Sequence, residues 1–159
     1  DVGKGSTFTI YFPPSSDKNE PHAEIVKHEH AIGGNETIII VDDEEIIAGS
    51  LNALLKKHGY KTSVFTSSKL AYNMVVSKKV IGDLLITDMT MPELTGVDLI
   101  NKLGVEMPNL PIILCTGYND QTKQELIQEN DVAAFFIKPI DAKSLLKTIR
   151  TILDAREQV

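Results

Sequence analysis

Three acids, a threonine and a lysine carry most of the chemistry in this sequence. Asp42 and Asp43 close one apolar run, and Asp88 closes another ahead of Met89-Thr90-Met91-Pro92. Thr116-Gly117 follows a further run and Lys138-Pro139 the last. In an open parallel sheet ligands sit beyond the carboxyl ends of the strands, so these side chains would share one rim if the runs are neighbouring strands. A lone acid there is most often a cap or turn residue; three acids with a hydroxyl and an ammonium group point to a site. Three carboxylates without a counter-ion repel one another, and a hard divalent cation relieves this. Mg2+ takes one or two carboxylates, keeps waters and leaves room for a phosphoryl group. A carboxylate can itself attack phosphorus and become an aspartyl phosphate. The metal and Lys138 would then balance the charge spreading over the phosphoryl oxygens, with Thr116 donating a hydroxyl hydrogen bond.

Such a rim needs a parallel sheet, and the apolar pattern predicts one. The runs are Ile38-Ile39-Ile40-Val41, Thr62-Ser63-Val64-Phe65, Leu84-Leu85-Ile86, Ile112-Ile113-Leu114-Cys115 and Ala134-Phe135-Phe136-Ile137. Four of the five are continuously apolar, as strands covered on both faces are. Helical stripes lie between them. Ile46, Ile47, Leu51, Leu54 and Leu55 form the first, stopped near His58-Gly59. Leu70, Met74 and Val75 form the second, behind the cap candidates Ser67-Ser68. Val97, Ile100 and Leu103 form the third. A fourth, short and exposed, is expected around 121–130 on Leu126 and Ile127. Leu145, Leu146, Ile149, Ile152 and Leu153 form the fifth, with Asp141 as N-cap. Five βα units predict a doubly wound α/β domain.

Composition narrows the function classes. The 159 residues carry 16 Lys and Arg against 22 Asp and Glu, a formal charge of −6, which argues against a nucleic-acid footprint or a polybasic membrane surface. One cysteine, Cys115, allows no internal disulfide and no CxxC framework, and in a buried strand it reads as a core residue. That usage fits a reducing compartment, so a cytoplasmic location is expected. No apolar run approaches the ~20 residues of a membrane helix. The chain opens on Asp1 rather than methionine, which suggests a piece of a longer protein.

The complete set is more specific than its members. Asp-Asp after the first strand, Asp-x-x-Met-Pro-x-x-x-Gly after the third, Thr-Gly after the fourth and Lys-Pro after the fifth resembles the receiver domain of two-component response regulators. The resemblance covers roughly residues 36–157. It implies a flavodoxin-like sheet of order 2-1-3-4-5 with five helices, Asp88 as phosphoacceptor, and Mg2+ held by Asp42, Asp43, Asp88 and the backbone carbonyl of Thr90. It makes Thr116 and Lys138 the phosphate partners and Phe135 the switch aromatic, where the family often has tyrosine. It also implies a cis peptide at Lys138-Pro139, and Thr90 and Tyr118 flanking the site. The implied partner is a histidine kinase or a histidine phosphotransfer domain. A second copy of the chain could also bind, through the fourth helix, fifth strand and fifth helix.

Residues 1–13, from Asp1-Val2-Gly3-Lys4-Gly5-Ser6 to Phe12-Pro13, are similar to the end of the ATP-binding domain of sensor histidine kinases, where a Gly-x-Gly-(Ser/Thr)-x-Phe segment enters the last strand. Residues 14–36 read as a polar linker, with a helical turn near 23–27, and residues 37–157 as the receiver. The whole resembles the C-terminal receiver of a hybrid sensor kinase. Taken alone it is not expected to hydrolyse ATP or to bind it tightly. His28-Glu29-His30 reads as solvated side chains, and His58 as a helix end favoured by the dipole. Three other functions share parts of this pattern. A flavodoxin-like FMN binder needs a Ser/Thr- and Gly-rich loop where Asp42-Asp43-Glu44-Glu45 would repel phosphate. A haloacid-dehalogenase-like phosphatase would carry its nucleophile in Asp-x-Asp after the first strand. A receiver-like module that never turns over phosphate would usually lack one of the acids or the lysine.

Overall fold

Unbroken β-branched and leucine runs form the centre of the sheet, and alternate residues along them feed two separate cores. The structure is a computed structural model that describes residues 33–117 and 132–156, with Gly3, Gly5 and residues 8–11. The strands are β1 (Thr37–Val41), β2 (Lys61–Phe65), β3 (Leu84–Asp88), β4 (Ile112–Thr116) and β5 (Ala134–Ile137). The helices are α1 (Glu45–Lys57), α2 (Ser68–Val76), α3 (Gly96–Glu106) and α4 (Ala142–Arg156). All strand pairs are parallel, in the order β2-β1-β3-β4-β5. This is the expected doubly wound topology, with four helices among the described residues. The expected helix around 121–130 and Tyr118 lie outside them, as do the turn near 23–27 and His28-Glu29-His30.

Ile38 and Ile40 pack with Leu51 and Leu55 of α1 and with Leu145 and Ile149 of α4. Ile39 and Val41 face the other way, onto Val75 of α2 and Leu99 and Leu103 of α3. β1, β3 and β4 are buried along almost their whole length. Burying one Leu or Ile side chain contributes about 1.5–3 kcal/mol, so these three strands and their helices dominate the stability. The two edge strands, β2 and β5, are only partly covered.

The helix ends follow the sequence. Ser67 caps α2 by accepting from Leu70 N at 3.2 Å, and Asp141 Oδ2 accepts from Ser144 N at 2.7 Å at the start of α4. Thr95 and Asp98 form a reciprocal capping box on α3. Two expected stripe members face solvent instead: Ile46 is 85% exposed and Leu70 is 52% exposed. Ala48 and Ala71 take the core positions, since a small residue brings the helix closer to the sheet.

The chain enters the domain before β1. Gly34 N donates to His58 O at 3.2 Å, and Lys61 N donates to Glu36 O at 2.9 Å. Glu36 pairs with Arg150 of α4 at 2.6 Å. Gly59 turns α1 into β2 at φ +92°, with the Gly34 carbonyl against it. Residues 33–36, read as the end of a linker, are thus packed onto the domain. Residues 8–11 do not form a strand, and Phe8, Ile10 and Tyr11 are exposed. The resemblance of residues 1–13 implies entry into a strand, and a strand needs a partner to hydrogen-bond.

Candidate functional site

Parallel pairing carries the end of each strand to one rim. Asp88 is level with Cys115, and Thr116 with Ile137, so Asp88, Thr116 and Lys138 arrive together. Asp42 follows β1, its N–H donating to Phe65 O at 3.1 Å. Asp42, Asp88 and Thr116 are all buried. Lys138 N donates to Thr116 O at 2.7 Å, which fixes the last turn of β5 beside β4. The Lys138-Pro139 peptide is cis, as the family resemblance implies.

The side chains form a closed ionic set. Lys138 Nζ lies 2.6 Å from Asp88 Oδ1 and 2.9 Å from Asp42 Oδ2. The other carboxylate oxygens take backbone donors: Thr90 N reaches Asp88 Oδ2 at 2.6 Å, and Glu44 N reaches Asp42 Oδ1 at 3.0 Å. Burial pulls the Lys138 ammonium down, but the hydrogen bonds it donates to Asp88 and Asp42 outweigh this and leave its pKa above the ordinary lysine value. Cys115 lies next to the site in β4, and burial pushes its thiol up to about 12, so it is a packed core residue and no nucleophile.

The expected residues do not all converge. Asp42, Asp88, Thr116 and Lys138 meet, while Asp43 faces solvent. Lys138 supplies the counter-charge that the sequence reading had left to a metal. Among the described residues no group of three His, Cys, Asp or Glu side chains is gathered to hold a metal ion. Phe135 is half-buried beside Leu114, its partner in the β4–β5 register, and packs on the core under α2 and α3. Sequence reasoning missed the clasp on the loop after Asp88. There Ser67 Oγ donates to Glu93 Oε2 at 2.8 Å, and Ser68 Oγ to Pro92 O at 3.1 Å. The signal in the sequence is the Ser67-Ser68 pair, since a helix cap uses only one of the two hydroxyls. It also passed over Glu44, whose Oε1 stands 4.0 Å from Lys138 Nζ.

The model of the response regulator receiver domain matches residues 38–150. The chain belongs to that family. It is a receiver domain of two-component signalling, which sets aside the flavin-binding and dehalogenase-like readings. It is 24% identical over 99% of its length to the sensor kinase CckA of Brucella abortus, of which it spans 17%. It is 28% identical over 75% of its length to the sporulation initiation phosphotransferase F of Bacillus subtilis, covering 94% of that protein. A receiver domain structure from Clostridium thermocellum superposes with a TM-score of 0.72 at 25% identity, covering 77% of this chain and 98% of that one. No helix of this receiver domain, among the described residues, is long and apolar enough to cross a membrane.

Proposed function

We propose that Asp88 is the phosphoacceptor of a phosphorelay and that Lys138 is the cation that manages its charge. The observation that carries this reading is the Lys138 ammonium set between Asp88 and Asp42 at the rim of the sheet. An Asp88 oxygen attacks the phosphorus of a phosphohistidine, an O–P bond forms, the N–P bond breaks and its electron pair stays on the imidazole nitrogen. Lys138 then turns from carboxylate to phosphoryl oxygen, and Thr116, at the end of the neighbouring strand, donates its hydroxyl. Asp42, Asp43, Asp88 and the Thr90 carbonyl are hard oxygen donors that fit Mg2+, with Asp43 turning inward and Lys138 giving up part of its hold. When bound, that ion supplies further positive charge for the phosphoryl oxygens. The switch would run from Thr116 to Phe135.

The donor is a histidine kinase or a histidine phosphotransfer domain. The likeness to the Brucella kinase along nearly the whole chain supports placing this receiver at the end of a hybrid sensor kinase. In that reading residues 1–13 close the ATP-binding domain, 14–36 link and 37–157 receive. The chain itself catalyses only its own phosphorylation and dephosphorylation, does not hydrolyse or tightly bind ATP, contacts neither nucleic acid nor membrane, and works in the cytoplasm. Self-association through β5, α4 and residues 121–130 belongs to the same reading.

Intact mass after incubation with acetyl phosphate and Mg2+ tests the assignment. One phosphoryl adduct is expected, absent with chelator and absent in Asp88→Asn. An adduct that persists in Asp88→Asn would overturn it.

A further inference from the structure

Glu44 leads from the rim of the sheet into α1. It is the N-cap residue of α1, yet its carboxylate makes no capping hydrogen bond. Its backbone N–H is tied to Asp42 Oδ1, which holds the residue at the mouth of the site. The side chains are graded in depth: Asp42 is 3% exposed, Asp88 8%, Lys138 18% and Glu44 66%. Glu44 is therefore the outermost charge within reach of Lys138, at 4.0 Å from its Nζ.

We infer that Glu44 selects the chemical class of phosphoryl donor: it favours donors with a cationic nitrogen leaving group and disfavours acyl phosphates. The inference rests on the reading of Asp88 as phosphoacceptor. An attacking Asp88 oxygen and the leaving group lie on opposite sides of the phosphorus, so the leaving group faces outward, toward the mouth. In phosphoramidate the leaving nitrogen is itself protonated and positively charged; in phosphohistidine the proton is on the other ring nitrogen and the imidazolium ring as a whole carries the positive charge. When the N–P bond breaks, the electron pair stays on the leaving nitrogen, and the group departs as a neutral amine or imidazole. In acetyl phosphate the leaving atom is a carboxylate oxygen, and it departs with a negative charge.

A carboxylate beside the exit attracts the first and repels the second. Even with a divalent ion bound, four carboxylates face only three positive charges, and Glu44 is the carboxylate that tips the mouth negative. Between single charges about 4 Å apart in water the effect is roughly fivefold in rate, and salt weakens it.

The test compares initial rates of phosphorylation of the whole chain by phosphoramidate and by acetyl phosphate at saturating Mg2+, in wild type, Glu44→Gln and Glu44→Asp. In Glu44→Gln the ratio of the phosphoramidate rate to the acetyl phosphate rate is expected to fall about three- to tenfold. Most of the change should be a faster acetyl phosphate reaction. Glu44→Asp should retain a ratio above that of Glu44→Gln. Raising salt should lower the wild-type ratio and leave that of Glu44→Gln nearly flat. An unchanged ratio, or equal change with both donors, would overturn the inference while Asp88 remained the acceptor. Phosphorylation that survives in Asp88→Asn would overturn the underlying reading, and the inference with it.

Discussion

Lys138 closes on Asp88, with Nζ to Oδ1 at 2.6 Å, and the same ammonium reaches Asp42 at 2.9 Å. One cation from the end of β5 thus holds together acids from the ends of β1 and β3. Without it, two buried carboxylates would face each other across the rim, and their mutual repulsion would fall on the loops that carry them.

Replacing that cation should therefore cost stability as well as activity. Lys138→Met is expected to lower unfolding free energy by about 2–4 kcal/mol at neutral pH. Added Mg2+ should restore more stability in the variant than in wild type. Because the lysine pKa is raised in the fold, its contribution is fully present below the unfolded value of about 10.4 and is lost only as pH rises through the higher folded value. Urea titrations at several pH values should show a wild-type advantage that does not decline between about pH 6 and 9.

The pair at the opposite pole has the reverse pH sense. Its hydrogen bond from Arg150 holds the Glu36 carboxyl below the ordinary range, against the upward pull of burial. Stability from this pair is present above the unfolded glutamate value of about 4.3 and fades as pH falls through the lower folded value. Glu36→Gln should cost about 1–2 kcal/mol at pH 7, and the deficit should shrink in denaturant titrations below about pH 4.

Two glycines should answer to alanine with opposite signs. A Cβ on Gly34 would press into the Glu36–Arg150 pair and stand 2.7 Å from the Tyr60 ring, so Gly34→Ala should destabilise by about 1–3 kcal/mol. Gly49 lies on the exposed side of α1 with nothing within 4 Å of a Cβ, and Gly49→Ala should stabilise by about 0.5–1 kcal/mol. Thermal unfolding of the two variants beside wild type checks both.

Coupling between Thr116 and Phe135 can be read by amide NMR with beryllofluoride as a phosphoryl mimic. Shifts are expected at Thr116, at Phe135 and along the start of α4, and they should shrink in Thr116→Ala. Phe135 has no hydroxyl to hydrogen-bond, so further burial of its ring must drive the change, on the order of 1–2 kcal/mol. Shifts confined to the loops after Asp43 and Asp88 would remove this route.

What the sequence determined by itself was the set of elements and the chemistry at their ends. Runs such as Ile38-Ile39-Ile40-Val41, short and β-branched, point to strands covered on both faces, and the residues that end such parallel strands arrive at one edge of the sheet. Local pattern could carry that much because strand burial and rim position depend on chain order and parallel pairing alone. Tertiary structure decided which charge neutralises which. Lys138 is drawn onto Asp42 and Asp88 because their side chains are buried and a distant strand end is the nearest cation, whereas Asp43 points to solvent. It also decided that Ile46 and Leu70 lie outside the core, since alanines at neighbouring positions bring α1 and α2 close to the sheet. Residues 33–36, polar and glycine-rich like a linker, pack against the α1–β2 turn and Arg150, because only the folded domain places that turn and that arginine side by side.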